Sequence, residues 1–87
     1  MKYYYIICET CFCGERGDYV YATDNEEDLL KYAASCADAT GEEWFDAATL
    51  EEEEMEEDEY WSSLSYNIGE ITKEEYEMYT KQLGLGA

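Results

Sequence analysis

The stretch Lys2-Tyr3-Tyr4-Tyr5-Ile6-Ile7-Cys8 decides the fold. Side chains alternate across a strand, so Tyr3, Tyr5 and Ile7 share one face and Tyr4, Ile6 and Cys8 the other. Both faces are apolar, the mark of a strand that is central or covered on both sides. Its partners are read outward from it. Gly14-Glu15-Arg16-Gly17 has the composition of a tight turn, and residues 18–23 alternate Tyr19 and Tyr21 with Val20 and Ala22 as a return strand. A four-residue loop there would set Cys13 opposite Asp18 and Phe12 opposite Tyr19. Residues 65–71 form a third strand, with Tyr66 and Ile68 on one face.

Helices fill the gaps. Asp24 is a candidate cap, with Glu27 completing a box-like pattern. Leu29, Leu30, Ala33, Ala34 and Ala37 then make an apolar stripe at helical spacing, with Cys36 near its edge, and Gly41 is a candidate stop. Thr49 could cap an acidic helix from about 50 to 62. The last helix has the clearest start: Thr72 and Glu75 match a capping box, Ile71 and Tyr76 a hydrophobic staple. Gly84-Leu85 fits its end. The order ββααβα predicts a single α+β domain, residues 1–87, in which helices pack on a small antiparallel three-stranded sheet.

Composition supports a folded domain of modest stability. The chain has 87 residues, 46% of them apolar, ten of them tyrosine, and no proline. Such a size buries somewhat over ~60% of the unfolded surface. Tyrosine suits a thin core, because its ring packs while its hydroxyl reaches water.

Charge is the outstanding property. Five basic and 23 acidic residues give a formal net charge of −18, far beyond the ~2–8 usual for a small domain. Eleven of the acidic residues lie within residues 42–59, and no Lys or Arg occurs between Lys31 and Lys73. Self-repulsion of this size opposes the compact state, and a cationic partner would offset it. The sign opposes direct binding to nucleic acid or to an anionic membrane. It favours a basic protein that itself binds nucleic acid. Glu51, Glu52, Glu54, Glu56, Asp58 and Glu59 are the leading partner-binding candidates, with Glu42, Glu43 and Asp46 around them; the alternatives for the run are a solvated face kept for solubility and an acidic protein-interaction module with no inhibitory role. On one helix, residues 51–59 would span about 12 Å at ~1.5 Å per residue and carry eight carboxylates. B-DNA, at one charge per ~1.7 Å, carries about seven over that length. The repulsive pairs Glu52–Glu56 and Glu53–Glu57, each costing ~0.2–0.5 kcal/mol, make such a helix weak unless the flanking aromatics pack. Trp44 and Trp61 are expected to act as core anchors.

Cys8, Cys11, Cys13 and Cys36 admit a four-thiolate zinc site as an alternative. The second CxxC of a zinc ribbon is missing, and a strand would point Cys8 away from Cys11 and Cys13, so the reading favours structural cysteines and no cofactor. The chain has no histidine, and its acidic run lacks the contrasting environments that separate a catalytic acid from a base. An enzyme is not expected. Met1-Lys2 leads directly into a strand pattern, without the apolar core of a signal peptide, and no apolar run nears the ~20 residues of a membrane span. A cytoplasmic location follows, where thiols stay reduced.

Small size, extreme acidity, a Tyr-rich α+β layout and absent catalytic residues together resemble phage-encoded inhibitors of host defence, above all anti-CRISPR proteins that mimic DNA. The resemblance is one of composition and layout over the whole chain. It implies a Cas effector nuclease as partner, in the cytoplasm of a bacterial host cell, with a basic duplex or PAM channel as the occupied site.

Overall fold

A computed structural model describes residues 1–12 and 15–83 of the chain. Strands β1 (Lys2–Glu9), β2 (Arg16–Thr23) and β3 (Ser65–Ile71) form one antiparallel sheet in the order β2-β1-β3. The two-sided apolar strand is therefore central. Helix α1 (Glu26–Trp44) covers the face of Tyr4, Ile6 and Cys8. There Ile6 and Cys8 pack with Leu29, Ala33, Cys36 and Ala37, bordered by Tyr19, Tyr66 and Ile68. The last helix of the chain (Lys73–Leu83) covers the opposite face, where Tyr3 meets Tyr76 at 5.0 Å and Tyr5 meets Tyr79 at 4.8 Å between ring centroids. Thr72 and Glu75 close its capping box reciprocally, each side chain accepting the other's backbone N–H at 3.1 Å. The expected Gly84-Leu85 helix end lies outside the described residues, as does Cys13.

The hairpin register differs from the expected one. Cys8 faces Gly17 and Ile6 faces Tyr19, so Phe12 is not the partner of Tyr19. The turn begins earlier, at Thr10. Its hydroxyl accepts from the Phe12 N–H at 3.1 Å and donates to Glu15 Oε1 at 2.9 Å, and its own N–H reaches the Glu15 carbonyl. Gly17 is a strand residue. A Cβ there would come within 2.4 Å of Thr40 Oγ1, so the glycine allows α1 to lie close on the sheet.

Helix α1 is capped by Asn25, which accepts from the Asp28 N–H at 3.2 Å. Asp24 instead pairs with the N-terminal ammonium at 2.8 Å. Helix α1 also runs through Gly41 to Trp44. Gly41 is buried there, and a Cβ would meet both Trp61 and Leu64 at 2.7 Å. It is a packing position, not a stop.

The acidic helix expected over about 50–62 is two helices, α2 (Ala47–Glu52) and α3 (Glu57–Ser62), so the order is ββαααβα with the Lys73–Leu83 helix as α4. Asp46, not Thr49, caps α2. The break is a Schellman motif. The Met55 N–H reaches the Leu50 carbonyl, the Glu54 N–H reaches the Glu51 carbonyl, and Glu54 adopts a left-handed φ of 53°. The break has opposing electrostatic effects. Carboxylates destabilise a helix C-terminus and stabilise an N-terminus. Ending α2 at Glu52 leaves Glu51 and Glu52 in its last turn, but it separates the repulsive i,i+4 pairs and places Glu57, Asp58 and Glu59 in the first turn of α3.

Candidate partner-binding surface

The acidic segment is held by two side chains. Leu50 is 5% exposed and Tyr60 is fully buried. Tyr60 is the hub of an aromatic group that includes Phe12, Phe45 and Trp61, at centroid distances of 6.2, 5.6 and 5.2 Å. Its hydroxyl donates to the Gly41 carbonyl at 2.7 Å. That carbonyl is among the last four of α1, which have no partner within the helix. The last turn of α1 has no basic residue to do the same work. One phenol therefore finishes α1 and anchors the acidic segment to it.

Trp44 and Trp61 are not the core anchors. Trp44 is 39% exposed and donates its indole N–H to the Arg16 carbonyl at 3.2 Å. Trp61 is half-buried, stacks on Phe45 and donates to Glu57 Oε1 at 3.4 Å. The sequence signal that favoured tryptophan was its position flanking the acidic run. Tyr60 wins the interior because its hydroxyl has a partner there.

Every one of the predicted partner-binding residues is exposed: Glu42 and Glu43 at the end of α1, Asp46 before α2, Glu51 and Glu52 in α2, Glu54 and Glu56 in the bend, Asp58 and Glu59 in α3. They differ in how free they are. Asp46 is occupied as a cap, accepting from the Ala48 N–H at 3.0 Å and the Thr49 hydroxyl at 3.1 Å. Among the described residues, the ion pairs are those of the N-terminus with Asp24, Arg16 with Asp18 and Lys31 with Glu27. None involves a carboxylate of residues 42–59. Because the segment bends, its eight carboxylates do not lie on a single 12 Å helix, and the comparison with the linear charge density of DNA no longer applies in that form.

Charge on the sheet side is handled differently. Asp18 accepts from Arg16 at 2.7 and 2.8 Å and also from the Tyr5 hydroxyl. Arg16 chiefly holds the Asp18 carboxyl below the usual range, while burial and Asp18 push the Tyr5 phenol up to about 12. Tyr21 donates to Asp28 at 2.7 Å and stacks on Tyr32 at 3.9 Å.

The described cysteines do not form one cluster. Cys8 and Cys36 are buried beneath α1, whereas Cys11 is exposed, its thiol 3.6 Å from the Met55 sulfur. Burial pushes the Cys8 thiol up to about 11 and raises that of Cys36 as well, so both are protonated at neutral pH. No group of three or more potential metal ligands converges among the described residues. Nor is any described helix long and apolar enough to cross a membrane.

No protein family, curated protein or solved structure matches the chain.

Proposed function

We propose that this protein is a non-enzymatic inhibitor that presents carboxylates in place of phosphates and occupies the basic nucleic-acid-binding site of a target protein. By the resemblance in composition and layout, the favoured target is a CRISPR–Cas effector nuclease in a bacterial cytoplasm. The observation that carries the reading is the state of residues 42–59: eleven carboxylates, all exposed, none paired with a cation among the described residues. They are fixed to the fold through Leu50 and Tyr60, which lowers the ordering cost of binding. The partner's arginines and lysines would supply the missing counter-charge and relieve the self-repulsion of a −18 domain.

Pulldown from nuclease-bearing lysate at ~50 and ~200 mM salt, with mass spectrometry, tests this, since electrostatic capture weakens steeply over that range. The expected catch is a basic nucleic-acid-binding protein that is lost at the higher salt and displaced by its own guide or target nucleic acid. A partner that binds equally at both salts and still loads nucleic acid would overturn the proposal.

A further inference from the structure

Between α1 and the junction of α3 with β3 lies a groove of about 240 Å³. Ala34, Ala37 and Asp38 of α1 form one wall, and Trp61, Leu64 and Tyr66 the other. The volume is below the ~300–1,000 Å³ of a small-molecule site, but it has the scale of one long side chain. Two features define what fits. The walls are mostly apolar and aromatic, with small alanines leaving the space open. The lining carries one charge, an anion: Asp38 is exposed and has no ion pair or hydrogen bond among the described residues, and Ser65 is the neutral polar residue beside it. Glu57, outside the lining, accepts from the Trp61 indole N–H. None of the lining residues is a cation.

We propose that the groove receives one arginine side chain of the partner protein. Its stem would lie along Ala34, Ala37 and Leu64, and its guanidinium against the aromatic wall and the Asp38 carboxylate. Arginine fits better than lysine, because a planar guanidinium stacks on aromatic faces and pairs with a carboxylate through a fork of donors. This site deepens the proposed function and rests on its premise of a basic protein partner. It adds a specific anchor to a surface otherwise governed by long-range charge.

The test uses the whole folded chain and no partner. N-acetyl-arginine methylamide is titrated against isotope-labelled protein by NMR, with the lysine and citrulline counterparts as controls and a Trp44→Phe variant to assign the Trp61 indole. Saturable shifts of the Trp61 indole and the Asp38 amide are expected for arginine, weaker ones for lysine and none that saturate for the neutral citrulline. Asp38→Asn should weaken arginine binding by about two- to fivefold, the range of an exposed ion pair, and Ala34→Met, which fills the groove, should abolish it. Equal response to citrulline, or arginine shifts spread over residues 51–59 with Trp61 still, would overturn the site. Because no partner is present, that failure leaves the acidic-surface proposal standing. Conversely, a target that ignores residues 51–59 would leave arginine uptake by the groove measurable.

Discussion

Around β1, charged and phenolic groups answer one another. Arg16 and Tyr5 share Asp18, and Tyr21 meets Asp28, all against a sheet whose central strand is covered by α1 and α4. Along residues 42–60 the carboxylates have no cationic partner among the described residues, and full burial is confined to Leu50 and Tyr60. The first region closes its interactions within the fold. The second leaves them open, on a segment that Leu50 and Tyr60 hold to the rest of the fold.

The sharpest break in this comparison would come from removing that tyrosine. Tyr60→Ala is expected to cost about 3–5 kcal/mol, as for other large aromatic-to-alanine changes in a core, read as the urea midpoint. Tyr60→Phe, which leaves the Gly41 carbonyl without its donor, should cost about 1–3 kcal/mol. An unchanged midpoint for Tyr60→Ala would mean that the acidic segment is not packed on α1.

Alkali should strike the sheet side. Tyr5 and Tyr32 are raised from 10.0 to about 12, and Cys8 from 9.0 to about 11, with burial the first cause in each. A group whose folded pKa is raised stabilises fully below its unfolded value and loses that contribution as pH rises through the folded one. These groups should therefore leave the melting temperature unchanged between about pH 6 and 8 and lower it from about pH 9 to 12. A melting temperature that holds to pH 12 would contradict the burial of these three groups.

Local structure comes next in size. Thr72→Ala should cost about 0.5–2 kcal/mol through loss of the α4 cap, measured by the same unfolding curve. A null effect would show that α4 does not depend on the capping box. Glu54→Gly should instead stabilise by about 0.5–1 kcal/mol. A left-handed conformation costs a non-glycine residue about 1–2 kcal/mol, partly offset by the greater freedom of glycine in the unfolded chain. Loss of stability in Glu54→Gly would argue against the bend between α2 and α3.

The sheet was legible because its evidence is periodic and local. Apolar residues on both faces of residues 2–8 announced a central strand, and Thr72-x-x-Glu75 announced α4. What failed was the meaning of glycine. Gly17 resembles half of a tight turn and Gly41 a helix stop, but each is where another element comes within van der Waals reach, Thr40 in one case and Trp61 with Leu64 in the other. Such contacts are tertiary and leave no local signature. The exposed carboxylates were legible from charge density alone. The break at residues 53–56 was foreshadowed only by the repulsive i,i+4 pairs. Asp46 as a cap, Tyr60 as anchor and the groove between α1 and α3 depend on how distant elements meet, which no spacing rule contains.

The central claim is that the open charge of residues 51–59 exists to be closed by a partner. Glu→Lys reversal in pairs across these residues tests it most directly. Circular dichroism would verify the fold of each variant, and target binding and nucleic-acid loading by the target would be measured together. Carboxylates closely paired with the partner's arginines or lysines should cost about 2–5 kcal/mol when removed, mainly as faster dissociation, and nucleic-acid loading should recover in step. Folded variants that keep full affinity and full blockage would contradict the claim and leave the run as a solvated surface.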